Sequence, residues 1–450
     1  MPAFSRAGAL VSFLERQRWF GGKARVIADV DVVDDGALGP NAVLAVVAVR
    51  FADGGAERYF VPLADARDGD VIVDAIFDDE TCRALVDVLA NGATLTLARG
   101  RVQATSGTSS IAAAVAPRDL PVRRTAPDQS NTSIIFGDDL ILKVFRRLEP
   151  GLNPDVEIGR FLTAHGFTRV PGLVADADYV AGQDAGSSVL MLQQFVPNQG
   201  NAWQAMLDEG GPASIALAET LGRRTGELHD TLASDPDDPA FAPEAYSRAD
   251  VDALAAGMHD FGARQLQLLR GASLPADARA AAARLLARQD DLLARFEALH
   301  DVSRPGLRIR CHGDYHLGQT LVADGDVFIL DFEGEPARSL AERRAKSSAL
   351  RDVAGMLRSF SYAAEVSKRG AAWEHAVASA FLDGYRAAVG RAEFLPPQGA
   401  DFDVVLNAFL LDKALYELGY ELNNRPDWVN VPLAALARLA GVDAAAPTRP

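Results

Sequence analysis

Apolar and polar residues exchange at short period through much of the first two hundred positions, and at the longer helical period beyond them. Alternation bounded by Asp/Gly turns predicts strands over 26–33, 42–51 and 57–63, after a short helix over 7–17. A helix over 80–90 and a strand over 94–104 complete a small α+β region that ends in the Ser/Thr/Gly stretch 105–110. From 128 the order is a polar stretch, a strand over 134–136, the turn Gly137, Asp138, Asp139, and a strand over 140–145 carrying Lys143. Asn153 followed by Pro154 marks a helix start, because Asn caps the first N–H groups and a missing N–H is harmless at the first helical position. A last strand over 188–193 runs into the irregular 194–198. Beyond 200 the spacing predicts helices over 214–232, 249–270, 276–300, 350–364, 374–389 and 402–424. Two short apolar runs flanking Asp324 and Gly325 interrupt them and predict a hairpin. No internal repeat is visible.

Composition narrows this picture mainly by exclusion. With 450 residues, 48% of them hydrophobic, the chain can bury large cores and suggests two to four folding units. A formal charge of −16 argues against a nucleic-acid surface, which phosphate backbones would make basic. Cys82 and Cys311 form no disulfide framework and no Cys-x-x-Cys pair, as fits a reducing cytoplasm. No apolar run reaches the roughly 20 residues needed to cross a bilayer, and charged side chains interrupt the first apolar segment. A soluble, unexported cytoplasmic protein is expected.

Chemistry concentrates between Arg310 and Glu333. The run RCHGDYHLGQ at 310–319 precedes the predicted hairpin, which ends at Asp331, Phe332 and Glu333. A hairpin returns the chain to its starting end, so Asp314, Gln319 and Asp331 converge. They form a candidate proton acceptor and two candidate metal ligands, as phosphoryl transfer to a hydroxyl requires. His312 and His316 have a spacing that suggests zinc on a helix, but Gly313 and Gly318 make the segment a loop. His312 is expected to brace that loop, Asp352 to tie the following helix to it, and His229 and His259 to be ordinary helix residues.

These motifs resemble those of the protein-kinase-like small-molecule kinases, which include aminoglycoside and choline phosphotransferases. RWFGGK at 18–23, DQSNTS at 128–133, LKVFRR at 142–147, HGDYHLGQ at 312–319, DFEGEP at 331–336, LRDVAG at 350–355 and YELGYE at 416–421 are similar to bacterial maltokinases across nearly the whole chain. The resemblance implies an α+β, bilobal protein-kinase-like fold. Its parts would be an extra N-terminal α+β cap over 1–108, a β-rich nucleotide-binding lobe over 109–199, and a mostly helical lobe over 200–450. It implies ATP and Mg²⁺ as cofactors and maltose as acceptor, phosphorylated at the anomeric hydroxyl to feed α-glucan synthesis from trehalose. Trehalose synthase is the implied protein partner.

Within that template Lys143 holds the α- and β-phosphates and Glu157 holds Lys143. Gln129, Ser130, Asn131, Thr132 and Ser133 would cover the phosphates without the usual G-x-G-x-x-G, and the backbone of Gln193, Gln194, Phe195 and Val196 would receive adenine. Asp314 would orient the attacking hydroxyl, with Mg²⁺ on Gln319 and Asp331. Gln319 stands where aminoglycoside phosphotransferases have Asn. For the acceptor, Lys413, Tyr416, Glu417, Tyr420, Glu421 and Asn424 follow helical spacing along one side and mix hydrogen-bonding groups with aromatic faces; His316 could approach the sugar. Two other readings share the chain. A glucosamine or aminoglycoside kinase would want carboxylates near Glu417 and Glu421 for a cationic acceptor. A non-catalytic kinase-like module would dispense with the Lys143, Asp314 and Asp331 set.

Overall fold

The strand at 42–51 shows how the first part of the chain is organised in the computed structural model, which describes residues 7–65, 72–106, 120–125, 131–182 and 186–441. After helix α1 (Ala7–Arg16), strands β1 (Ile27–Leu38), β2 (Ala42–Phe51), β3 (Ala56–Asp65) and β4 (Ile72–Asp74) form an antiparallel sheet in that order. Successive side chains on a strand point to opposite faces. Leu44 and Val46 therefore enter one core, with Phe60 and helix α2 (Asp79–Ala90), while Ala45, Val47 and Val49 enter another with α1, Trp19 and Phe20. Trp19 and Phe20 are buried, which assigns the aromatic pair of the RWFGGK motif to packing.

The next elements are β5 (Thr94–Thr96), β6 (Gly100–Ser106), β7 (Val122–Arg124), β8 (Asn131–Phe136), β9 (Leu140–Phe145), α3 (Pro154–Ala164), β10 (Leu173–Ala181) and β11 (Ser187–Gln194). Their strands make one antiparallel sheet in the order β5-β6-β10-β11-β9-β8-β7. The single strand expected over 94–104 is a hairpin, and its strands join the sheet that carries Lys143 rather than the sheet of β1 to β4. Met1–Pro197 thus forms one compact unit, with cap and β-rich lobe sharing the core beneath α2. Strand β10 escaped the pattern reading because Asp176, buried in its middle, breaks the apolar run; Arg160 from α3 donates to it at 2.9 Å.

Asn198–Pro450 is the second unit. It runs α4 (Ala202–Asp208), α5 (Pro212–Leu232), β12 (Glu244–Ala245), α6 (Arg248–Gly271), α7 (Ala276–Leu286), α8 (Gln289–Leu293), β13 (Leu307–Arg308), β14 (Thr320–Ala323), β15 (Asp326–Ile329), α9 (Leu340–Arg344), α10 (Leu350–Ser367), α11 (Gly370–Val389), α12 (Ala400–Asn424) and α13 (Asn430–Leu439). The helix expected over 276–300 breaks at Arg288, where φ is −119° and ψ 19°, and ends in 3₁₀ turns. The hairpin is as expected. Asp324 and Gly325 both have positive φ, 51° and 74°, and close β14 onto β15 with Ala323 opposite Asp326. Among the described residues, no helix is long and apolar enough to cross a membrane.

Candidate active site

The segment leading to Asp314 is held by the start of α10. Buried Asp352 accepts the backbone N–H groups of His312 at 2.7 Å and Gly313 at 2.9 Å. Two amides donating to one carboxylate fix the chain path where Gly313 turns through φ +88°, a region open to glycine. Gly355, one turn further along α10, lets that helix approach. A Cβ there would lie 2.5 Å from the Tyr315 carbonyl oxygen. His312 Nε2 donates to the Leu330 carbonyl at 2.9 Å, and its ring packs between Tyr315 and Phe332. The brace assigned to His312 and the tie assigned to Asp352 are therefore both present.

Asp352 is itself held by a residue that the sequence reading set aside. His229 of α5 lies 3.2 Å from Asp352 Oδ2 through Nε2 and 3.0 Å from the Tyr385 hydroxyl through Nδ1, fully buried. Burial would raise the Asp352 carboxyl, but His229, His312 and the Gly313 N–H hold it below the usual range. His229 is thus a buried support of the segment around His312 and Gly313, through Asp352, and not an ordinary helix residue. Its stripe was readable: Leu221, Thr225, Leu228, His229 and Leu232 recur at buried helical spacing.

On the far side of the hairpin, Gln319 Nε2 donates to Asp331 Oδ2 at 2.8 Å. Asp331 has φ +63°, a strained conformation for a residue with a side chain and one that concentrates at functional sites. Asp314 Oδ1 faces Lys413 Nζ at 3.2 Å, and the same ammonium donates to Glu335 Oε1 at 2.8 Å. Glu335 also accepts Arg338 at 2.6 Å and Arg351 at 3.2 Å. Burial would raise Glu335, yet these three cations hold it at about 2. Burial would lower Lys413, but Asp314 and Glu335 raise it well above its ordinary value, so it is an ammonium at any physiological pH. Glu335 carried no assigned role in the sequence reading; its only signal was a third acidic residue after Asp331 and Glu333.

The stripe on α12 divides. Lys413 and Tyr416 face Asp314, with Nζ 4.6 Å from the Tyr416 ring centre. Glu417 and Glu421 turn inward instead. Arg358 donates to Glu417 at 2.9 and 2.6 Å, and Glu421 accepts the Tyr362 hydroxyl at 3.0 Å and Arg425 at 2.7 Å. Both carboxylates are buried against α10 or capped by Arg425, so the expectation that they line a sugar site is corrected. Helical spacing aligns residues along a broad stripe, and here the neighbouring helix covers half of it. Tyr420 stays 44% exposed beneath Arg425. His316 Nδ1 accepts the Gly318 N–H at 3.0 Å, and burial lowers its pKa, leaving a neutral ring that caps the short turn before Gln319.

In the first unit Lys143 Nζ contacts Asp155 Oδ2 at 2.8 Å. Asp155 is thus a carboxylate partner that the sequence reading did not name; Glu157 lies buried on the same turn of α3. Gln129 and Ser130 lie outside the described residues. Asn131, Thr132 and Ser133 are not loop but the start of β8, where Ser133 is opposite Lys143, and the Thr132 hydroxyl accepts Arg146 Nε at 2.9 Å. For the expected hinge, Gln193 and Gln194 end β11. The Gln194 N–H is bound to the Gly172 carbonyl at 2.9 Å and the Phe195 N–H to the Asp139 carbonyl at 2.8 Å. Those two amides are engaged within the unit.

Residues 121–388 match the phosphotransferase enzyme family, and residues 13–72 match the maltokinase N-terminal cap domain. Glucosamine kinases from Streptacidiphilus jiangxiensis and Mycolicibacterium smegmatis are each 28% identical over 69% of this chain, covering 72% and 78% of their own length. A solved glucosamine kinase superposes with a TM-score of 0.71 at 24% identity, over 94% of this chain and 96% of its own, and shares the fold.

Proposed function

The chain belongs to the phosphotransferase enzyme family, and we propose that it transfers the ATP γ-phosphoryl group to the anomeric hydroxyl of maltose, giving maltose 1-phosphate. The observation that carries the reading is the Asp314–Lys413 contact, beside a Glu335 carboxylate already held by three cations. Asp314 takes the acceptor hydroxyl's hydrogen bond and its proton as the oxygen attacks, while Lys413, anchored on Glu335, fixes the carboxylate's orientation. Lys143, held by Asp155, binds the nucleotide phosphates. Gln319 and Asp331 suit Mg²⁺: with the Gln319 amide N–H turned to Asp331, its carbonyl oxygen remains as the ligating atom. The ion, when bound, screens the charge that develops on the β- and γ-phosphates.

The same geometry supports a neutral sugar as acceptor. A protonated amine held next to the attacking hydroxyl would face the Lys413 ammonium. Two like charges at about 4 Å cost on the order of 1–4 kcal/mol between bulk water and a protein surface. Glu417 and Glu421, which a cationic acceptor would need, are occupied by Arg358 and Arg425. A neutral sugar escapes this cost, and the cap-domain match supports maltose among neutral sugars. The second reading, a glucosamine kinase, is favoured by the names of the curated relatives.

ATP consumption across maltose, glucose, glucosamine and kanamycin, with the phosphorylated position determined on the product, separates the two. Maltose inert and glucosamine turned over would reverse the choice. A chain that consumes no ATP with any sugar would instead be a non-catalytic module. Association with trehalose synthase belongs to the same proposal and is tested by co-purification of the two full-length chains.

A further inference from the structure

Helix α5 reaches both halves of the site through two consecutive residues, Arg224 and Thr225, which point about 100° apart around a helix of 3.6 residues per turn. The Thr225 hydroxyl donates to the Leu221 carbonyl at 2.7 Å. With its one proton committed there, it accepts the Tyr315 hydroxyl at 2.9 Å. Both side chains are buried, and Tyr315 directly follows Asp314 in the chain. Removing the Thr225 hydroxyl would leave that buried Tyr315 O–H without its acceptor, a cost the segment can relieve only by moving.

Arg224 reaches the hairpin instead. Its Nε donates to Asp326 Oδ1 at 2.8 Å and its Nη2 to Asp326 Oδ2 at 2.5 Å, while Nη1 donates to Glu227 at 2.6 Å. A fork on both carboxylate oxygens fixes direction as well as distance. Strands β14 and β15 have only four residues each, and a two-stranded hairpin is marginal alone, so its place depends on what it is tied to. On one edge Val322 exchanges backbone bonds with Gln199 and Gly200 at 2.8 and 2.9 Å; towards α5 the fork on Asp326 is the polar tie. The opposite face of α5 is locked. A Cβ on Gly222 would lie 1.9 Å from the Phe381 carbonyl oxygen of α11, and one on Gly226 3.0 Å from that of Tyr385.

We propose that Arg224 and Thr225 are positioning residues that hold the two halves of the site in register. Thr225 sets the place of Asp314 through Tyr315, and Arg224 sets the place of Gln319 and Asp331 through Asp326 and the hairpin. The proposal rests on the phosphoryl-transfer reading above and adds what fixes the proton acceptor relative to the Gln319–Asp331 pair. Because the two residues act on different halves, their loss has different consequences.

Thr225→Val keeps the shape and removes the hydroxyl, whereas Thr225→Ser keeps the hydroxyl and removes a buried methyl. With whichever sugar the wild type phosphorylates, Thr225→Val should lower kcat about tenfold or more, with KM for ATP changed by less than about twofold, since small misplacements of a reacting group are costly. Thr225→Ser should turn over at close to the wild-type rate even where it melts lower. If Thr225→Val folds poorly, Tyr315→Phe removes the same bond from the other side and should show the same loss. Arg224→Met should weaken Mn²⁺ binding in the presence of ADP, read by electron paramagnetic resonance, by about tenfold, the low end for residues that orient metal ligands. Thr225→Val should leave that binding within about twofold. Equal kcat for the Val and Ser variants, or wild-type Mn²⁺ binding by Arg224→Met, overturns the proposal. A wild type that phosphorylates no sugar refutes the function reading itself; the Mn²⁺ titration needs no turnover and still judges Arg224.

Discussion

The reassignment of Glu417 from sugar ligand to buried ion pair can be tested by taking both partners away. Arg358 and Glu417 are 3% and 9% exposed, with two guanidinium N–H groups on one carboxylate oxygen. Removing one partner leaves the other as an uncompensated buried charge, which costs roughly 3–5 kcal/mol. For a unit the size of Asn198–Pro450, each kcal/mol moves the melting temperature by about 2–4 °C, so Glu417→Met or Arg358→Met should lower it by on the order of 6–20 °C. The double variant, Arg358→Met with Glu417→Met, replaces the pair by apolar volume and should recover most of that loss, since a buried pair exchanged for packed hydrophobes is often near neutral. Thermal melts of the four proteins form a double-mutant cycle whose coupling measures the pair. KM for maltose is the second readout. Additive losses of stability, or a Glu417→Met protein that melts normally but has lost maltose affinity, would refute the structural role and return Glu417 to the acceptor site.

Asp314→Asn should lower kcat by about 10²–10⁴ with melting unchanged, because an amide keeps the shape but takes no proton; near-full turnover would remove Asp314 from the mechanism. Gly355→Ala should displace the Tyr315 segment, whose carbonyl would lie 2.5 Å from the new Cβ, and lower kcat more than it changes KM for ATP, read by steady-state kinetics. Glu335 has its folded pKa depressed to about 2 from an ordinary 4.5. Its contribution, on the order of 3 kcal/mol, is therefore complete above pH 4.5 and is lost as pH falls through that window towards 2. Glu335→Gln should flatten the acid limb of a stability-versus-pH curve, and an identical limb would count against the cation cluster. His229→Asn should lower kcat for maltose with KM for ATP held, because His229 reaches the segment carrying Asp314 through Asp352; an equal change in both parameters would indicate a general loss of packing.

The parts of this site that were legible in the sequence are those fixed by local geometry. Asp324 and Gly325 specify a hairpin because both positions take positive φ, and the hairpin then brings Gln319 and Asp331 within one hydrogen bond. Asn153 and Pro154 likewise start α3 where expected, with the Asn153 side chain accepting the Asp155 N–H at 2.9 Å. What escaped is what depends on which charge meets which across the fold. Glu417 and Glu421 share a helix side with Lys413, and no spacing rule distinguishes a side chain facing substrate from one facing Arg358 on a helix fifty-nine positions earlier. Asp155, Glu335 and His229 were missed for the same reason, since each acquires its role from a partner remote in sequence or from burial that only packing supplies. Resemblance identified the family because its motifs are contiguous strings. Under the function proposed above the acceptor, by contrast, is selected by the charge around Asp314, and that sum includes Lys413, Glu335, Arg338 and Arg351, none of them within twenty residues of Asp314. On that reading acceptor specificity is a property of how the helices pair their charges, and exchanging Lys413 should change sugar choice more than exchanging an exposed residue such as Tyr420.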